Sequence, residues 1–180
     1  MASDSLRSLA RHLDVPERTL RRAAAEGLIR GERTSPRRFR TSLREEAYLR
    51  AQWPLLRELR DALRTEPNVR LAILFGSQAT GTATARSDVD LLVALADPRA
   101  SRVAQLAGRL ERRTGRDVQL VRLQDAERAP GLMADALDRG RVLVDRDGRW
   151  PALQSALGAW RSRADQAEIP LEDAMANLDP

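Results

Sequence analysis

The chain has no cysteine and no lysine, a single histidine, and few aromatic residues, 3% of the total. Without cysteine there are no disulfides and no thiolate metal sites, and nothing points to an oxidising compartment. The one histidine, His12, has no second to share a metal with, so it reads as a surface or packing residue. The shortage of aromatics leaves Leu, Val and Ala to fill the core. No apolar run approaches the roughly 20 residues of a membrane-spanning helix. The opening MASDSLRSLARHLD lacks the apolar stretch of a secretory signal. A cytoplasmic protein with no membrane partner is expected. The absence of lysine follows as readily from a biased coding sequence as from function, and we read no function from it.

What is present sets the scale. The 180 residues, 42% of them hydrophobic, suffice for one ordinary core, or a core with a small helical module. The net charge of +5 is unevenly placed: residues 1–42 hold ten Arg against five acids, and residues 43–180 hold 21 of each. The whole excess lies in the first quarter of the chain. That asymmetry implies an anionic partner for the segment, most simply nucleic acid.

Leu6, Leu9 and Leu13 fall on one helical stripe. Asp14-Val15 makes a turn, and Pro16 suits the start of a second helix, ERTLRRAAAEG, which Gly27 ends. Leu28 and Ile29 then return to the core, and RGERTSPRRFR reads as a hairpin or wing. The pattern predicts a winged helix-turn-helix. Ser42 to Glu45 fits a capping box. Pro54 is expected to break or restart the helix that follows, which carries Leu56, Leu59 and Leu63.

From Val69 the period shortens. Strands are expected at Leu71–Phe75, Val89–Leu95, Asp117–Leu123 and Arg141–Val144, with helices between Ser101 and Gly115 and over Met133–Leu137. Trp150, Leu153, Leu157 and Trp160 predict a last amphipathic helix that covers the sheet or, alternatively, forms a homodimer face. The fold class expected is α+β or α/β: a winged helix-turn-helix (1–45), a helical connector (46–67), a small domain with a mixed sheet flanked by helices (68–147), and a C-terminal helix and tail (148–180).

The stretch FGSQATGTATARSDVDLLV carries the chemistry. Gly76 ends a strand and lets a backbone approach a phosphate, and Ser77 adds a hydroxyl donor. Asp88 and Asp90 lie two apart on a strand, so both carboxylates leave one face. Such a pair can hold Mg²⁺, a hard cation that shares its shell with phosphates. Two carboxylates entering an apolar strand without a cation would be costly.

Gly-Ser, ten residues, then DVD followed by LLV resembles the minimal nucleotidyltransferase branch of the DNA polymerase beta-like superfamily, over about residues 69–147. The resemblance implies transfer of a nucleoside monophosphate, AMP from ATP being favoured, to a hydroxyl of a protein or RNA acceptor. Some relatives act on a partner protein in bacterial toxin–antitoxin pairs. It also implies that Gly76, Ser77 and Ser87 hold the nucleotide and that Asp88 and Asp90 bind Mg²⁺ or Mn²⁺. In one place the sequence departs from the family. The third carboxylate of the family falls at Gln119, in Val118-Gln119-Leu120-Val121, and an amide is neither a base nor an anionic ligand. Asp117 is the remaining candidate, on the same face but displaced by roughly 6.5 Å along the strand. Gln78 and Thr80 stand where many relatives carry arginine. Two readings stay open: a DNA-associated transferase, or a DNA-binding regulator whose weak or inactive transferase-like domain senses nucleotide or mediates dimerisation.

The run LARHLDVPERTLRRAAAEGLIRGERTSPRRFR resembles the winged helix-turn-helix of MerR-type regulators in its turn, its TLR, its GLI and its arginine-rich wing. Arg22 and Ala23 stand where that family commonly has an aromatic pair. The resemblance implies contacts to DNA from Arg18, Thr19, Arg21 and Arg22 on the second helix, and to backbone phosphates from Arg37, Arg38 and Arg40 on the wing.

Overall fold

A computed structural model describes residues 5–35 and 38–168. Arg37 and the tail after Ile169 therefore lie outside the described residues. Two short helices come first, α1 (Ser5–His12) and α2 (Glu17–Ala25). Leu6 and Leu9 bury the stripe of α1, and Leu20 and Ala23 that of α2. Asp14 between them adopts a left-handed φ of 50°, which a short polar side chain tolerates. Pro16 is the residue just before α2. Gly27, at φ 85°, turns the chain so that Leu28 and Ile29 re-enter the core. A β-carbon there would meet the Trp150 indole nitrogen at 2.9 Å. An antiparallel hairpin follows, β1 (Glu32–Ser35) and β2 (Arg38–Arg40), with Arg33 opposite Phe39.

Helix α3 (Leu43–Arg64) runs unbroken through Pro54, contrary to the expected break. Pro54 removes one backbone bond. However, Leu49, Trp53, Leu56, Leu59 and Leu63 are all buried along one stripe, and such tertiary packing supplies most of a helix's stability. The capping box is also only half present. The Ser42 hydroxyl accepts from the Glu45 N–H at 3.1 Å, but the Glu45 carboxylate turns away to a distant arginine on another element.

The remaining elements are β3 (Val69–Phe75), α4 (Gly76–Thr80), β4 (Val89–Leu95), α5 (Ala100–Thr114), β5 (Val118–Arg122), α6 (Leu123–Ala126), α7 (Pro130–Arg139), β6 (Arg141–Asp145), α8 (Trp150–Ser155) and α9 (Leu157–Glu168). The strands form one mixed sheet in the order β5-β4-β3-β6, parallel between β4 and β5 and antiparallel elsewhere. Helix α5 is the crossover that a parallel pair requires. This is the mixed α+β architecture expected.

Both faces of the sheet are covered, which is why its strands read as almost continuous apolar runs. Ala72 and Leu74 of β3, with Val89, Leu91 and Val93 of β4, face a first core shared with α1, α2, α3 and α5. Leu71 and Ile73 of β3, with Leu92 of β4, face a second core formed with α6 and α7. Trp150, Leu153, Leu157 and Trp160 pack against this second core. They do so from two helices rather than one, because a turn at Ala156 lets both tryptophans reach it. The third strand is shorter than expected. Asp117 precedes β5, and Leu123 opens α6, where its side chain is buried. Among the described residues no helix is long and apolar enough to cross a membrane.

Candidate active site

The two-residue period of β4 decides where the acidic pair points. With Val89, Leu91 and Val93 in the first core, Asp88 and Asp90 project from the opposite face, and both are half-buried. Asp90 pairs with Phe75, the last residue of β3, so Gly76 passes directly over its carboxylate. Gly76 has φ 67°, and a β-carbon there would lie 2.6 Å from Asp90 Oδ2. Only glycine lets the chain turn this close to the acid. Ser77 follows in α4.

The loop between α4 and β4 is braced from within. Buried Gln78 donates from Nε2 to the Ser87 carbonyl at 3.1 Å, and its own carbonyl accepts from the Tyr48 hydroxyl at 2.9 Å. The Thr80 hydroxyl donates to the carbonyls of Gly76 and Ser77, each at 3.2 Å. Gln78 thus ties α4 to the residue before Asp88, and Thr80 braces the Gly-Ser turn itself. The Ser87 hydroxyl accepts from the Thr84 N–H at 2.9 Å, so it closes the loop's own turn.

Position 119 lies beside the pair. Gln119 is opposite Asp90 in the parallel β4–β5 register, and its Nε2 donates to Asp88 Oδ2 at 2.9 Å. Asp117 is exposed ahead of β5, with its backbone carbonyl accepting from Val89 N–H at 2.9 Å. Among the described residues no three acidic or histidine side chains converge as a metal site. Asp88 and Asp90 therefore come together, and Asp117 does not join them.

The electrostatics of the pair are unusual for this chain. Burial first, and the Asp88 charge second, push the Asp90 carboxyl above the usual carboxylate range. The sequence holds 31 arginines, yet among the described residues none pairs with either acid. Two adjacent carboxylates with one neutral amide donor suit a hard divalent cation, which takes one or two protein carboxylates and completes its shell with phosphate and water.

Sequence reasoning missed a cluster on the other side of β3. Arg141 is 2% exposed. It donates to Glu45 Oε1 at 2.6 Å and Oε2 at 2.9 Å, to the Ala79 carbonyl at 2.8 Å and to the Leu28 carbonyl at 3.1 Å. Its guanidinium also lies 3.6 Å from the centre of the Tyr48 ring. Burial pushes the Tyr48 hydroxyl up to about 12. The only signal in the sequence was an arginine opening an apolar strand after Gly140.

The basic N-terminal residues form a face of their own. Arg21, Arg22, Arg33 and Arg38 line a cavity of about 290 Å³ between α2 and the hairpin. Arg21 pairs with Glu17 at 2.5 Å and Arg22 with Glu26 at 2.7 Å. Arg18 and Arg40 are exposed, and Thr19 is half-buried.

This fold, with an acidic pair beside a strand-ending Gly-Ser, defines the nucleotidyltransferase class. The sequence model of the family described as polymerase beta, nucleotidyltransferase, matches residues 57–149, just over half of the chain, and the chain belongs to that family. The match begins inside α3 and leaves α1, α2 and the hairpin outside it. Solved structures of toxin–antitoxin systems share the fold. One, a toxin–antitoxin complex with AMP-PNP, contains a chain 24% identical at a TM-score of 0.54, the match covering 67% of this chain and 98% of that one. Another, the tri-AMPylated Shewanella oneidensis HEPN toxin in complex with MNT antitoxin, is 22% identical at 0.51, covering 69% and 98%. The MntA–HepT toxin–antitoxin is 22% identical at 0.51, covering 69% and 99%. At these identities the likeness is one of fold. No curated protein matches the chain.

Proposed function

We propose that the chain transfers a nucleoside monophosphate, AMP from ATP, to a hydroxyl of a partner protein or RNA. The observation that carries this reading is the half-buried Asp88/Asp90 pair beside Gly76, left without any cationic side chain. The presence of AMP-PNP in one related complex and of an AMPylated toxin in another favours ATP as donor, a protein as acceptor and a toxin–antitoxin setting.

Gly76 and Ser77, with Ser87 behind them, hold the triphosphate, and Asp88 and Asp90 hold Mg²⁺ or Mn²⁺. The cation would neutralise phosphate charge and stabilise the in-line displacement. The acceptor oxygen bonds to the α-phosphorus as the bond to pyrophosphate breaks. Gln119 provides no base, so the acceptor proton leaves to solvent. Residues 68–147 form the transferase unit, 46–67 the helical connector and 148–180 the C-terminal helix and tail. Residues 1–45 form a MerR-like winged helix-turn-helix that binds DNA through Arg18, Thr19, Arg21, Arg22, Arg37, Arg38 and Arg40. The protein acts in the cytoplasm.

A second reading rests on the Gln119–Asp88 hydrogen bond. Here the site binds nucleotide without efficient transfer, and the chain is a DNA-binding regulator.

The test is transfer from ATP labelled on its α-phosphate, in lysate with Mg²⁺. Label on a protein or RNA should fall about a hundredfold or more in the Asp88→Ala/Asp90→Ala variant. Absence of transfer from any nucleoside triphosphate, with nucleotide binding retained, would establish the regulator instead. For the DNA module, the Arg37/Arg38/Arg40→Ala variant should flatten the salt dependence of DNA binding. An unchanged slope removes the wing contacts.

A further inference from the structure

A polar cavity lies apart from the acidic pair and from the basic face between α2 and the hairpin. It measures about 590 Å³ and is lined by Arg30, Ser42, Arg44, Thr82, Arg139 and Arg141, among others. Its size is that of small-molecule sites. The residues come from the α2–β1 link, the start of α3, the α4–β4 loop, α7 and β6. None of Gly76, Ser77, Ser87, Asp88 and Asp90 lines it.

The guanidinium groups around it are unequally satisfied. Arg141 is fully engaged with Glu45 and two carbonyls. Arg139 leans on Asp135 and Asp138, at 3.4 and 3.9 Å. Arg30 differs. Its backbone N–H donates to Glu45 Oε1 at 3.0 Å, but its side-chain Nη2 is buried with no partner. Buried donors are almost always satisfied, so an orphan needs a cause. Burial and the adjacent Arg141 charge pull the Arg30 guanidinium below its usual value. Arg44 is exposed and has no acidic partner among the described residues. Glu45 is the only acid in the lining, and Arg141 occupies it. The Ser42 hydroxyl accepts from Glu45 N–H, which leaves its proton free to donate.

We propose that this cavity binds a phosphate-bearing small molecule, with the phosphate held by Arg30 and Arg44 and by the hydroxyl of Ser42. Two guanidinium groups without an acidic partner, beside one uncommitted hydroxyl proton, match a doubly charged tetrahedral anion. The volume leaves room for an attached group of nucleoside size. An occupant would touch both the approach to the hairpin and the loop that follows the Gly-Ser turn.

The test uses calorimetric titration of the full chain with AMP and, separately, inorganic phosphate. The Asp88→Ala/Asp90→Ala background and EDTA keep the transfer site from contributing. AMP should bind, and its affinity should fall roughly tenfold or more in both Arg30→Gln and Arg44→Gln. Arg57→Gln, which removes the same charge from an exposed position on α3, should not change it. Arg44 is exposed, so its variant tests the site even if Arg30→Gln fails to fold. Equal binding of phosphate and AMP would assign recognition to the phosphate alone, and tighter AMP binding would add the nucleoside. No binding of either at millimolar concentration, equal affinity in the Arg30 and Arg44 variants, or binding of duplex DNA alone would overturn the proposal.

Discussion

Arg141 and Asp90 lie on opposite sides of the same end of β3, Arg141 paired with Leu74 and Asp90 with Phe75. The two are treated in opposite ways. Every donor direction of Arg141 toward the protein finds an acceptor, and the charge is matched by Glu45. Asp90 meets another carboxylate and no cation. A closed cluster of charge holds elements together, here α3, α4, β6 and the link after α2. An open cluster is held in place by the fold at some cost, and such sites are where binding and catalysis concentrate.

The largest effect should come from opening the closed cluster. Arg141→Met leaves the buried Glu45 carboxylate without its ion-pair partner, which should cost about 3–5 kcal/mol in urea denaturation. A loss under about 1 kcal/mol would show that the pair behaves like a surface ion pair, and the contrast would fail. Next is Gln119→Asp, which restores a third carboxylate beside Asp90 and removes the donor to Asp88. It should raise the transfer rate by about a hundredfold, the scale of a general base. An unchanged rate would mean that position 119 does not limit the chemistry. Ser42→Ala removes the cap of α3 beside the closed cluster and should cost about 1 kcal/mol.

The smallest effect has the opposite sign. Asp90→Asn removes a carboxylate from a half-buried, like-charged setting, so in EDTA the melting temperature should rise by about 1–2 °C. The pH dependence follows from the direction of the shift. The folded carboxyl titrates above its unfolded value, so the unfolded chain ionises first. The metal-free protein then loses stability as pH rises between the two values. The Asn variant should lack that decline, and a decline of the same size in both would place its origin elsewhere.

The elements built from one-sided or two-sided burial were legible in the sequence. Val89–Leu95 stands as expected, because a strand buried on both faces must be apolar throughout. Gly76, Ser77, Asp88 and Asp90 were legible as a spacing, and the structure gathers Gly76 and both acids around one point. What escaped depended on contacts distant in sequence. Pro54 looked like a break because the local rule cannot register five buried side chains of the same helix. Glu45 looked like a capping-box partner, but its true partner is 96 residues away. Gln119 was visible as a departure from the family. Its bond to Asp88 emerged only from the parallel register, which also places Asp117 two residues short of the position opposite Asp90.

The proposed function requires Asp88 and Asp90 together to hold a divalent cation beside a nucleotide. The most direct measurement is a crystal structure of the full chain grown with Mn²⁺ and a non-hydrolysable ATP analogue, with the metal located by anomalous scattering. A peak is expected at about 2.1 Å from oxygens of both Asp88 and Asp90, with the analogue's phosphates against Gly76 and Ser77. Bound nucleotide with no metal between the two acids, or metal held elsewhere, would contradict it.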